Sequence, residues 1–233
     1  MNQRSAQRLA RLRGGPVHAV DGDIGTIVDF YFDDDTWTIR YLVVDTGKWL
    51  PGRLVLIPLW ALHSPDWDQA RVPVGLTREQ VKASPEIDVH RPVSRQAEMA
   101  SLRYYGYPYY WAGPALWGAV PAPGMGADMT VTAAPASLPP EDTRDTHLRS
   151  CHEVSGYHIR ATDGDIGHID DFIVDAVTWA IEHLLIDTSN WIGGRHVVVL
   201  PSSVERVSWA ERIVYVSMSR DAIAHAAAAS RTT

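Results

Sequence analysis

DGDIGTIVDFYFDDDTWTIRYLVVDTGKWLPGR, running from Asp21 to Arg53, recurs as DGDIGHIDDFIVDAVTWAIEHLLIDTSNWIGGR from Asp163 to Arg195. The offset is 142 residues, and 18 of the 33 positions are identical without a gap. A match this dense at one long separation is a duplicated domain and not the short period of a solenoid. Beyond Arg53 the reading takes one inserted residue, LVLIP against HVVVLP, after which the same offset pairs Trp67 with Trp209 and Thr77-Arg78-Glu79 with Ser219-Arg220-Asp221. Each copy then spans about 70 residues.

Turn residues and alternation divide one copy into strands at Val17–Val20, Ile24–Phe32 and Thr36–Val44, separated by the Asp21-Gly22-Asp23 and Asp33-Asp34-Asp35 turns. Leu54–Pro58 and Arg71–Val74 add two more, and Thr77 with Gln80 three residues on forms a capping box that opens a short helix. In the second copy Ser219 caps a helix over Arg220–Ala229. Strands this short cannot bury a face as an open sheet, so the expected fold is mainly β, two tandem small β-barrels with a short helix after each. The expected boundaries are a basic N-terminal arm over 1–15, a first barrel over 16–85, a linker over 86–155 and a second barrel over 156–229.

The linker differs in kind from the barrels. Val93–Arg103 reads as a short helix capped by Ser94, followed by the aromatic run Tyr104, Tyr105, Tyr107, Tyr109, Tyr110 and Trp111 and then a stretch rich in Pro, Gly and Ala. Tyrosine and tryptophan supply large contact area at low entropic cost, which makes these six the candidate interaction residues. Their bland reading is docking onto a barrel of the same chain.

Composition and charge limit the function classes. The chain has 233 residues, 45% of them hydrophobic, with nine Trp and nine Tyr against three Phe. Its net charge of −7 falls on both repeats, and only the arm with Arg4, Arg8, Arg11 and Arg13 is basic, which argues against direct nucleic-acid contact. That arm reads as a frayed tail. No apolar run is long enough to span a bilayer, so no integral membrane insertion is expected. The single Cys151 removes any disulfide framework and fits a reducing, cytoplasmic compartment.

At Asp21, Gly22, Gly25, Trp37, Asp45 and Trp49, and again at Asp163, Gly164, Gly167, Trp179, Asp187 and Trp191, the repeat resembles the PRC-barrel family. That is the small barrel of the photosynthetic reaction-centre H subunit and of the RimM-type ribosome maturation factor. With its segment Arg91–Trp111 the chain is similar to bacterial two-barrel proteins of that family. The resemblance implies a non-catalytic interaction barrel and carries over no catalytic residue.

Other chemistries are weighed against simpler readings. The Asp-Gly-Asp turns lack the remaining ligands of a calcium loop, and Phe32 and Val174 stand where a closing Glu is needed, so they read as turns. Gly25 and Gly167 read as bulge or close-packing positions. His158, His168, His183 and His196 in the second repeat could converge on zinc or nickel, but exposed or hydrogen-bonded histidines are the simpler expectation, and no metal site is assigned. Cys151 beside His152 does not make a nucleophilic pair, and no phosphate loop, nucleophile elbow or metalloprotease motif occurs. The expectation is a non-enzyme without cofactor, a protein-interaction or assembly module that partners itself as a homodimer or higher and an unidentified protein. The alternatives are a ribosome-associated factor binding a ribosomal protein, and a histidine-based metal-binding protein.

Overall fold

The computed structural model describes residues 6–47, 49–85, 93, 95–118, 120, 122–123, 148–188 and 196–229. It is mainly β, and its elements repeat at 142 residues. In the first repeat these are β1 (Ala6–Arg8), β2 (Pro16–Ala19), β3 (Gly22–Asp33), β4 (Thr38–Asp45), β5 (Leu54–Pro58), β6 (Val72–Pro73) and α1 (Arg78–Lys82). Helix α2 (Arg95–Tyr105) follows. The second repeat runs β7 (Leu148–Ser150), α3 (Cys151–Val154), β8 (His158–Ala161), β9 (Gly164–Asp175), β10 (Ile181–Asp187), β11 (His196–Val199), β12 (Val204–Ser208), β13 (Ile213–Val216) and α4 (Arg220–Ala229). The 3-10 turns Leu59–Ala61 and Pro201–Ser203 keep the same offset, so the inserted residue expected after Arg53 is not there.

The chain divides into two units, and neither is one contiguous repeat. One holds Arg11–Ser150 with Val177–Ala180; the other holds Met1–Ala10, Cys151–Ala176 and Ile181–Thr233. In the first unit the sheet order is β5-β4-β3-β2-β6, with β7 added to β3; in the second it is β11-β10-β9-β8-β13-β12, with β1 added to β9. The ladder does not close on itself in either unit. In the second, the two end strands β11 and β12 are joined by the Pro201–Ser203 turn, so the barrel-like curl is completed by a corner of chain and not by hydrogen bonds.

Curl comes from the long hairpins. β3 pairs antiparallel with β4 and slips register between Ile27 and Asp29, and β9 with β10 does so opposite Leu185 and Ile186. Such bulges bend and twist a strand. Asp29 and Asp171 fill the bulges, their Oδ1 atoms accepting the N–H of Phe30 at 2.7 Å and of Phe172 at 2.8 Å. The cores match residue for residue: Val17, Ile24, Ile27, Phe30, Leu42, Val44 and Val72 in one unit, Ile159, Ile166, Ile169, Phe172, Leu184, Ile186 and Val214 in the other, all buried.

The N-terminal arm departs from expectation. Residues 6–8 form β1 and residues 9–12 a 3-10 turn, with Leu9 and Leu12 fully buried, because two leucines at that spacing gain more from burial than the arginines lose. The end of the expected linker is likewise structured, as β7 and α3.

Candidate functional site

Two features of the repeats hold the docking edges. β1 lies antiparallel on β9, pairing Ala6 with Asp175, Gln7 with Val174 and Arg8 with Ile173; in the other unit β7 lies on β3, pairing Leu148 with Asp33, Arg149 with Phe32 and Ser150 with Tyr31. All six positions correspond at 142 residues. The bulge aspartates clamp these strands: Arg8 Nε donates to Asp171 Oδ2 at 2.9 Å, and Ser150 Oγ donates to Asp29 Oδ2. The Ala10 N–H also donates to Asp171 Oδ1 at 3.1 Å, and Arg149 pairs with Asp34 at 2.7 Å. The recurring Asp29 and Asp171 were visible in the sequence as identical positions, but nothing there showed that an added strand uses them.

The repeat-matched residues set the frame. The Arg78 and Arg220 N–H groups each donate at 2.8 Å to Asp21 and Asp163, so the Asp-Gly-Asp turns fasten the starts of α1 and α4. A Cβ on Gly25 would sit 1.9 Å from the Asp45 carbonyl oxygen, and one on Gly167 1.9 Å from that of Asp187. The Asp45 side chain takes the Gly47 N–H at 2.8 Å. Trp37 and Trp179 both have positive φ, 51° and 60°, at the hairpin tips. Trp37 stacks on Phe32, while Trp179 is buried in the first unit against Trp67, its carbonyl accepting the Ile39 N–H at 3.0 Å. The Trp49 indole donates to the Ile24 carbonyl and carries the Arg78 guanidinium over its ring at 4.7 Å. Trp191 and Ser94 lie outside the described residues.

The aromatic segment folds back on the first unit. Gly106 at φ 75° ends α2, with the Tyr107 N–H donating to the Leu102 carbonyl at 2.9 Å and the Gly106 N–H to Arg103 at 3.2 Å, a Schellman arrangement. Tyr104 is the most exposed of the run at 40% and donates its OH to the Gln80 carbonyl at 2.8 Å. Tyr105 packs edge-on to Tyr104 and beside Tyr107, Tyr109 stacks on Trp111 at 4.9 Å, and Tyr110 is buried. Burial pushes the Tyr105 hydroxyl up to about 12, against the opposing pull of its hydrogen bond to Ser84 and of the Arg53 charge; burial raises Tyr107 too.

Beneath this segment lies a buried polar cluster that the sequence reading did not single out. Arg40, 2% exposed, sits in the otherwise apolar β4; its Nη1 donates to the Leu116 carbonyl at 2.8 Å and its Nη2 to Thr36 Oγ1 at 3.0 Å. The guanidinium lies over the Tyr110 ring at 3.9 Å and the Trp117 ring at 4.6 Å. Glu98 from α2, also 2% exposed, accepts from the Tyr110 hydroxyl at 2.7 Å and the Tyr41 hydroxyl at 3.2 Å. Burial draws Arg40 below its ordinary value, and the charges of Tyr110, Asp33, Tyr41 and Glu98 oppose that. The signal available in the sequence was one cation inside the buried run TIRYLVV. The second repeat has Glu182 and His183 at the positions of Arg40 and Tyr41.

Strand register puts His158, His168, Asp187 and His196 opposite one another on β8, β9, β10 and β11, while His183 lies opposite Ile173. The polar contacts are loose, His168 to Asp187 at 3.9 Å and His196 to Asp170 at 3.4 Å. Among the described residues no three His, Cys, Asp or Glu side chains are grouped to hold a metal ion, and no helix is long and apolar enough to cross a membrane. Cys151 is fully buried, which removes it from reach as a nucleophile.

No curated protein matches the chain. Residues 6–66 match the family model of the PRC-barrel domain, a span that takes in β1 and its following turn as well as the hairpin of the first repeat. With that match, the doubled DGDIG turn and the curled five-strand order, the chain belongs to the PRC-barrel family through its first repeat, and its second repeat is an internal copy of the same domain.

Proposed function

We propose that the protein is a non-catalytic interaction and assembly module that self-associates and docks onto a further protein. The observation supporting this most directly is strand addition: β3 and β9 each accept a short strand that lies outside the barrel's own hairpin sequence. Main-chain pairing of this kind gives affinity with little demand on sequence, and side-chain clamps such as Asp29 and Asp171 add register. Exchange of the same strands between two copies would build a dimer from contacts the chain already makes. Isolated apolar side chains at Val20, 66% exposed, and Val177, 54% exposed, offer further contact. The reading places this work in a bacterial cytoplasm, where a lone buried thiol stays reduced, and its partners are proteins, since both repeats are acidic.

Light scattering of the intact chain over the micromolar range tests it. A dimer or larger particle, weakened by Asp171→Ala, is the expected result. A monomer at every concentration would overturn self-association, and native co-precipitates that vanish on nuclease treatment would favour a ribosome-linked role instead.

A further inference from the structure

The tip of the β3–β4 hairpin and the loop after the aromatic run enclose a cleft of about 360 Å³, lined by Asp33, Asp35, Thr36, Arg40, Tyr110, Trp111 and the stretch from Gly113 to Leu116. That volume lies at the small end of the roughly 300–1,000 Å³ range of small-molecule sites. Two wall groups decide what it takes. Arg40 uses both terminal nitrogens on the protein, but its buried Nε–H finds no hydrogen-bond partner among the described residues. Asp33 Oδ1 accepts from the Asp35 N–H, the Thr36 N–H and the Thr36 hydroxyl, while Oδ2 faces Arg40 Nε across 4.0 Å.

A buried donor and a buried carboxylate oxygen held too far apart to bond each other ask for an atom that both accepts and donates. One oxygen about 2.8 Å from each closes a 4.0 Å gap with an angle near 90° at that oxygen, which suits a hydroxyl. An anion would meet the carboxylates of Asp33 and Asp35; a cation would meet the Arg40 guanidinium. A purely apolar molecule would leave Nε–H and Oδ2 dry. Tyr110 and Trp111 add aromatic wall for the C–H faces of a ring. We propose that this cleft binds a neutral, polyhydroxylated ligand of sugar class, with one hydroxyl bridging Arg40 Nε and Asp33 Oδ2 and the ring against Trp111.

The experiment titrates the full chain with glucose, galactose and trehalose, with acetate as the charged control and acetamide as the neutral amide control, following indole N–H and backbone amide shifts by NMR. At least one sugar is expected to give saturable millimolar shifts at Trp111 and Thr36. Ala115→Phe, which fills the cleft and leaves Arg40 and Asp33 in place, is expected to weaken binding at least about tenfold. Asp33→Asn keeps an acceptor for the turn but sets a second donor opposite Nε–H, and should weaken it as well. Shifts absent with every sugar up to tens of millimolar would mean that water alone fills the gap, and would overturn the proposal. So would binding of acetate or acetamide without any sugar, or sugar shifts that survive Ala115→Phe. If Asp33→Asn fails to fold, Ala115→Phe still decides.

Discussion

At Gly25 and Gly167 the backbone passes so near the facing strand that a methyl group cannot be seated: the blocking atoms are the main-chain oxygens of Asp45 and Asp187, and φ is 152° and 147°. Neither obstacle can rotate away, so Gly25→Ala or Gly167→Ala should each cost about 3 kcal/mol or more, measured by urea unfolding. A loss under half that would mean the strands part easily there. Tyr105 makes a pH prediction. Its hydroxyl holds its proton to about 12 in the folded chain against about 10 when unfolded, so the folded state binds more protons between those values and stability falls as pH rises through them. The effect is on the order of 2 kcal/mol, absent below about pH 9, and Tyr105→Phe should flatten the alkaline limb of the melting curve. An unchanged limb would place Tyr105 in water. The Arg40 cluster has the opposite character: Arg40→Met leaves Asp33 and Glu98 buried beside a neutral chain, and a loss of about 3 kcal/mol is expected in thermal or chemical unfolding.

At the scale of elements, the short added strands carry more than their length suggests. Removing residues 1–10 takes away β1, the Leu9 side chain and the partner of Asp171, and strands the Phe172 and Asp171 bulge against solvent. A truncation of this kind should lower stability by about 3 kcal/mol and raise amide exchange over Phe172 to Asp175, whereas a frayed tail would cost nothing. The strand pairs, the capping box at Thr77 and Gln80, the helix Arg220–Ala229 and the need for Gly25 were all legible, because each is fixed by local chemistry that the repeat shows twice. β1 and β7 were not. AQRLARL and LRSCHEV share no residue at equivalent positions and neither alternates, so three-residue strands whose pairing depends on a distant edge leave no period to read. The Arg40 and Glu98 cluster was hidden for a related reason: its two halves lie 58 residues apart and meet only when α2 packs down.

For the whole molecule, the division of the chain matters more than the number of strands. A fragment ending at residue 123 contains all of the contiguous first repeat yet lacks Leu148–Ser150 and Val177–Ala180, which complete its unit. Hydrogen exchange on that fragment should show Tyr31 to Asp33 unprotected, with a bare β3 edge prone to aggregation. Native protection there would make the added strand dispensable.

The interleaving of segments also sets a timetable for biosynthesis. A growing chain delivers residues in order at roughly 5–20 per second, and ordinary tandem domains finish folding one after the other as each emerges. Here the earlier unit waits for residue 180, and the later one must recruit residues 6–10 that left the ribosome long before. The nascent first barrel therefore spends several seconds with its β3 edge unfilled, during which its own first strand is the nearest extended segment able to cap it. The correct partner for that strand does not yet exist.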